Sequence, residues 1–115
     1  MNLRDKILNA SDIKSEVITI EEWDVELKIK GLNGKERADF LSKVIDQKGS
    51  MDLEKATPMI VVLTAHDPET DEKVFTIKDL NEINKKASAA LDKVSKKAFE
   101  LSGLGEEAQK EAKND

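Results

Sequence analysis

A chain of 115 residues with 38% hydrophobic content has the length of one domain and the apolar material for one modest core. With 24 acidic against 19 basic side chains, a net charge of −5 and arginine only at Arg4 and Arg37, it lacks the clustered cations of a phosphate-binding footprint, so nucleic acid is set aside as a partner. It has no cysteine, which excludes disulfides, thiolate catalysis and Cys-based zinc sites.

Residues 1–12 predict a short helix around Leu3, Ile7 and Leu8, without the long apolar stretch of a secretion signal. From Ser15 the pattern changes. Val17, Ile18 and Ile20 are β-branched, and in the run Trp23 to Lys30 apolar and charged residues alternate, placing Trp23, Val25, Leu27 and Ile29 on one face. The two runs predict an antiparallel hairpin turning at Glu21–Asp24.

Asn33 then reads as a helix N-cap with Glu36 completing a capping box. Ala38, Leu41, Val44 and Ile45 recur at helical spacing, with Phe40 at the edge of the stripe and Gly49 as the stop. Met51 to Ala65 fits two templates. Ile60-Val61-Val62 favours a strand by propensity, whereas Leu53, Ala56, Ile60, Leu63 and Thr64 fit a helical stripe interrupted by Pro58. The longest apolar run, Met59 to Leu63, is far short of the roughly 20 residues that span a bilayer, so no membrane is expected as a partner.

Asp67-Pro68 opens a polar turn from which Val74 and Phe75 return towards the core. Thr76 and Asp79 form a second capping box, Leu80 and Ile83 a short helix, and Asn84 a left-handed bend. A final helix is predicted from about Lys86 to Ser102, with Ala87, Ala90, Leu91, Val94, Ala98 and Leu101 on one face. Gly103 fits the position after its C-cap and Leu104 the hydrophobic contact of a Schellman motif. The expected fold is α+β: an N-terminal antiparallel hairpin with several helices packed on it, one domain over 1–104, and a flexible charged tail over 105–115.

Catalytic patterns fail on named residues. His66 beside Asp67 has no nucleophile pattern around it, and reads as a turn-bordering imidazole. Asp67, Glu69, Asp71 and Glu72 fail as a calcium loop, because Glu72 stands where glycine is needed and Lys78 where the bidentate glutamate is needed. Gly34-Lys35 lacks the earlier glycine of a phosphate loop, and Glu36 replaces its Ser or Thr. The expectation is a protein with no catalytic residues, no metal site and no cofactor, which acts by binding other proteins. Two features are candidates for that. One is Trp23 at the hairpin turn; the other is the small-residue stripe of the last helix, Ala87, Leu91, Val94, Ala98, Leu101 and Leu104. For each the competing reading is packing into the chain's own core, and self-association through the stripe would combine both.

A resemblance covers about Glu16 to Asn114. Glu22-Trp23, the strand after it and Gly31-Leu32-Asn33-Gly34-Lys35-Glu36-Arg37 mark the first half. Asp67-Pro68-Glu69-Thr70, Val74-Phe75-Thr76, Asp79-Leu80, Ala87-Ser88-Ala89-Ala90-Leu91 and Leu101-Ser102-Gly103-Leu104, with a charged tail ending in Lys113-Asn114, mark the second. In order and spacing these resemble the tail assembly chaperones of long-tailed phages and prophages. Asp24 and Asn84 stand where glycine is expected, and both types tolerate turns.

The resemblance implies a non-catalytic chaperone that binds the helical tape measure protein in the host bacterial cytoplasm, keeps it soluble while the tail tube polymerises, and is absent from the mature virion. It further implies the short form of a frameshifted pair, whose longer form recruits tail tube subunits through an added domain. The rival readings are a phage structural protein (a tail completion or head-tail connector protein) and a regulatory protein-binding module.

Overall fold

The structure, a computed structural model, describes residues 2–104; the charged tail expected over 105–115 lies outside them. Strands β1 (Ser15–Ile20) and β2 (Val25–Lys30) form the predicted hairpin, in register from Ser15 opposite Lys30 to Ile20 opposite Val25. Its turn is a 3₁₀ turn over Glu21–Trp23, closed by Asp24 in the left-handed conformation (φ 52, ψ 46), which a short polar side chain tolerates. A two-residue strand, β3 (Ala65–His66), pairs antiparallel with Lys28 and Ile29 and makes the sheet order β1-β2-β3. Ile20, Leu27 and Ile29 are buried on the inner face, with Ile18 packed against the core beside them.

Helix α1 (Leu3–Leu8) is capped by the Asn2 side chain but buries no residue. Helix α2 (Gly34–Val44) begins with the expected box: Asn33 Oδ1 accepts from the Glu36 amide at 2.9 Å and Glu36 Oε1 from the Asn33 amide at 3.0 Å. Its packing differs from the expectation. Phe40 and Val44 form the buried ridge, whereas Ala38 is exposed, because the large aromatic takes the space facing α5. The helix also ends at Val44, not at Gly49. Ile45 turns extended and bridges Met51, while Asp46 Oδ1 accepts from the amides of Lys48 and Ser50 and closes a turn in which Gly49 has φ 86.

Met51 to Ala65 resolves as helix. Asp52 caps α3 (Leu53–Thr64), which runs through Pro58 and hands over to β3 at Ala65. Ile60, Val61 and Val62 are all buried because α3 is the central helix, touching α2, α5 and β2 on different sides. Burial on several sides overrides the β-propensity of these residues.

Thr76 and Asp79 form the second capping box, first as a 3₁₀ turn (Ile77–Asp79) and then as α4 (Leu80–Ile83). Asn84 follows with φ −64 and ψ −14, so the left-handed bend expected there is absent. Helix α5 (Ser88–Leu101) starts two residues later than expected, after Ala87. It ends as the sequence implies. The Leu104 amide donates to the Phe99 carbonyl at 3.0 Å and the Gly103 amide to the Glu100 carbonyl at 3.3 Å, with Gly103 at φ 73 and Leu104 buried. Phe99 meets Phe40 with ring centroids 6.1 Å apart at a 55° tilt, joining α5 to α2 through the core.

Candidate functional site

The final helix's stripe faces inward. Leu91 is 5% exposed, and Val94 and Ala98 are fully buried. They lie on the helix that packs against α3 and β2, so the fold uses them as core and does not present them to a partner. Leu104 is buried as well, Leu101 is half-buried against the core, and Ala87 is exposed at the N-cap of α5. Of the candidate binding residues, Trp23 is the one the structure places in a surface hollow.

The hairpin tip positions it. Glu22 accepts from Lys93 of α5 at 2.9 Å, and this hydrogen bond holds the Glu22 carboxyl below its usual range and the Lys93 ammonium above its own. The adjacent Trp23 packs partly on the core and keeps part of its ring at the surface. The facing wall comes from the loop after β3. Its conformation is built from local bonds: Asp67 Oδ1 accepts from the Glu69 amide at 2.8 Å, the Asp71 amide donates to the Asp67 carbonyl at 2.8 Å, and the Val74 amide donates to the Ala65 carbonyl at 3.1 Å. Asp71, at φ 66, reaches the outer face of β2, where it pairs with Lys30 at 2.6 Å and Lys28 at 3.1 Å. These two lysines hold its carboxyl below the ordinary carboxylate range. Of the carboxylate cluster of the sequence, Asp71 is therefore a clasp that ties the loop to the sheet.

Because β3 pairs only with Lys28 and Ile29, it leaves the Val25–Leu27 part of β2 without a strand neighbour on that side. Two adjoining hollows of about 580 and 730 Å³ open there. Trp23, Val74 and Phe75 line both; Ile83 extends one towards α4, and Val25, Leu27 and Pro68 extend the other along β2. Val25 and Val74 are 43% and 44% exposed, and Ile77 nearby in sequence is 57% exposed. Val74 was expected to return to the core; it lines this cleft instead, because the loop is held out on the sheet edge by Asp71. Around the apolar floor stand Glu26, Asp67 and Glu69 on one side and Asp79, Glu82 and Lys86 on the other.

His66 sits in β3 with Nδ1 donating to the Thr64 carbonyl at 2.7 Å, a bond that orients the ring within the strand. Among the described residues no cluster of His, Asp or Glu has the grouping of a metal site.

A scan against protein-family models and a search of the curated proteins found no match. Among solved structures, the chain is similar to the tail assembly chaperone of bacteriophage HK97, with a TM-score of 0.62 over 85% of this chain and 91% of that one, at 14% identity. The chain has the tail assembly chaperone fold. Within that fold the Trp23 cleft joins residues far apart in the sequence, which is why the sequence marks Val25, Val74 and Phe75 as core-facing and not as binding residues. Trp23 itself carried the signal, as the chain's one tryptophan placed at a turn.

Proposed function

We propose that this protein is a phage tail assembly chaperone, non-catalytic and without a cofactor, that binds the tape measure protein in the host cytoplasm and leaves the assembly before the tail is complete. The observation that carries this reading is an open apolar cleft at Trp23 on a chaperone fold whose α5 stripe is used internally. A tape measure protein presents long apolar helical stripes, which aggregate when bare. Covering such a stripe segment by segment suits small copies with weak individual contacts, and each bound copy adds net charge of −5 that keeps the complex dispersed. Self-association of bound copies and recruitment of tail tube subunits by an extended form belong to the same reading.

Co-expression with the tape measure protein of the same phage tests it. A soluble complex is expected with the unaltered chain and a much smaller yield with Trp23→Ala, provided the variant still melts cooperatively. An insoluble tape measure protein in both cases overturns the proposal. Mass spectrometry of purified virions separates it from the structural rival, since a chaperone is missing from finished tails.

A further inference from the structure

Charge is distributed unevenly over the molecule, and the unevenness centres on the cleft. Lys28, Lys30, Lys93 and Lys97, on the sheet and α5, are all committed to ion pairs with Asp71, Glu22, Glu16 or Glu100. The cleft shows the reverse. Five of the charged residues lining it are acidic and one, Lys86, is basic. Asp79 is occupied as the capping acceptor of Thr76, and Glu82 pairs with Lys85 at the surface. Glu26 and Glu69, which line the hollow along β2, make no ion pair among the described residues. The floor of Trp23, Val74 and Phe75 is thus bordered by unpaired carboxylates on the β2 side, whereas on the α4 side Lys85 and Lys86 offset Glu82 and Asp79.

From this we infer that the cleft takes an amphipathic helix whose apolar stripe is flanked by lysine or arginine on the side that meets Glu26, Asp67 and Glu69; the inference rests on the proposed chaperone reading and specifies which segments of the partner are recognised. A helix laid on side chains buries one stripe and holds its flanking positions outward, where those on one side meet the acidic rim. Cations in those positions neutralise the local excess, whereas carboxylates there bring like charges together at the edge of a low-dielectric floor. The carboxylates of that rim therefore select among the many apolar stripes of a long helical partner, favouring basic-flanked ones. They also speed encounter by steering, an effect that salt suppresses.

The test uses the intact protein and three synthetic peptides without Trp or Tyr, which share one leucine stripe. One is flanked by lysines, one by glutamates, and one is the lysine peptide broken by a central proline. Trp23 is the chain's one tryptophan and the chain has no tyrosine, so its emission reports directly on the cleft. The lysine peptide is expected to shift that emission, and to bind about tenfold or more tighter than the glutamate peptide at low salt. The advantage should shrink as ionic strength rises and in the Glu26→Gln, Glu69→Gln double variant, whose melting temperature serves as the folding control. Equal affinity for lysine and glutamate peptides, equal binding of the proline-broken peptide, or no emission change with any peptide would overturn the inference. Capture of the tape measure protein by the unaltered chain is scored separately: if it persists while the peptides fail, the chaperone reading stands and this specificity falls.

Discussion

Asn84 Nδ2 donates a 2.9 Å hydrogen bond to the main-chain carbonyl of Glu54, on a different helix. Glu54 lies one helical turn before Pro58, and Pro58 has no N–H to offer that carbonyl. The asparagine supplies the donor that a continuous helix would have supplied. Proline in the middle of α3 and asparagine at the end of α4 are thus two halves of one arrangement. It ties α4, at the edge of the Trp23 cleft, to the central helix.

Asn84→Ala is expected to cost about 1 kcal/mol in urea unfolding, the typical net value of one hydrogen bond. In a Pro58→Ala background, the restored amide can serve the Glu54 carbonyl, so the same change should cost less than half as much. A double-mutant cycle measures the difference. Equal costs in the two backgrounds would break the link between the two residues.

Leu91→Ala should lose about 2–5 kcal/mol, and Leu91→Asp should abolish cooperative melting, because this side chain is core. A Leu91→Asp protein with an ordinary melting curve and lost partner binding would instead assign the α5 stripe to an interface. Circular dichroism melts decide between them.

Two close contacts hold the end of β2 against the end of α5. A side chain at Gly31 would collide with the Leu101 carbonyl, and the buried Leu32 amide donates to Ser102 Oγ at 2.9 Å. Gly31→Ala and Ser102→Ala are each expected to destabilise by about 1–3 kcal/mol, the first by overpacking and the second by orphaning a buried amide. Chemical denaturation of each variant checks this.

The Asp71 clasp gives the cleft wall a defined acid limit. Lys30 and then Lys28 depress the folded Asp71 pKa below its ordinary 3.8, so its stabilisation is complete above that value and lost as pH falls through the depressed one. Lys93 and Lys97 are raised above the ordinary 10.5 by hydrogen bonds to Glu22 and to Glu16 and Glu100, so theirs is complete below 10.5 and lost as pH rises through the raised values. Asp71→Asn should therefore narrow its stability gap to the unaltered protein as pH drops below about 4. Denaturation at a series of pH values would show a constant gap if the clasp contributes nothing.

What the sequence by itself determined lies within a few residues of itself. The alternation from Val25 to Ile29, the hairpin turn at Glu21–Asp24, the capping boxes of Asn33 with Glu36 and Thr76 with Asp79, and the Gly103–Leu104 helix end all follow from hydrogen bonds and side-chain directions that span one turn or one strand. Only the tertiary structure decided the rest. Whether Ile60-Val61-Val62 is strand or helix depended on partners on several sides, which periodicity does not contain. Phe40 became a core residue because Phe99 faces it, and Asn84 became a donor to Glu54 because Pro58 removed the local one. The α5 stripe and Trp23, which carried the same two readings in the sequence, parted for the same reason. A stripe shows that a face must be covered, and only the packed neighbours show that the chain covers it itself, leaving Trp23, Val74 and Phe75 at the open edge of β2.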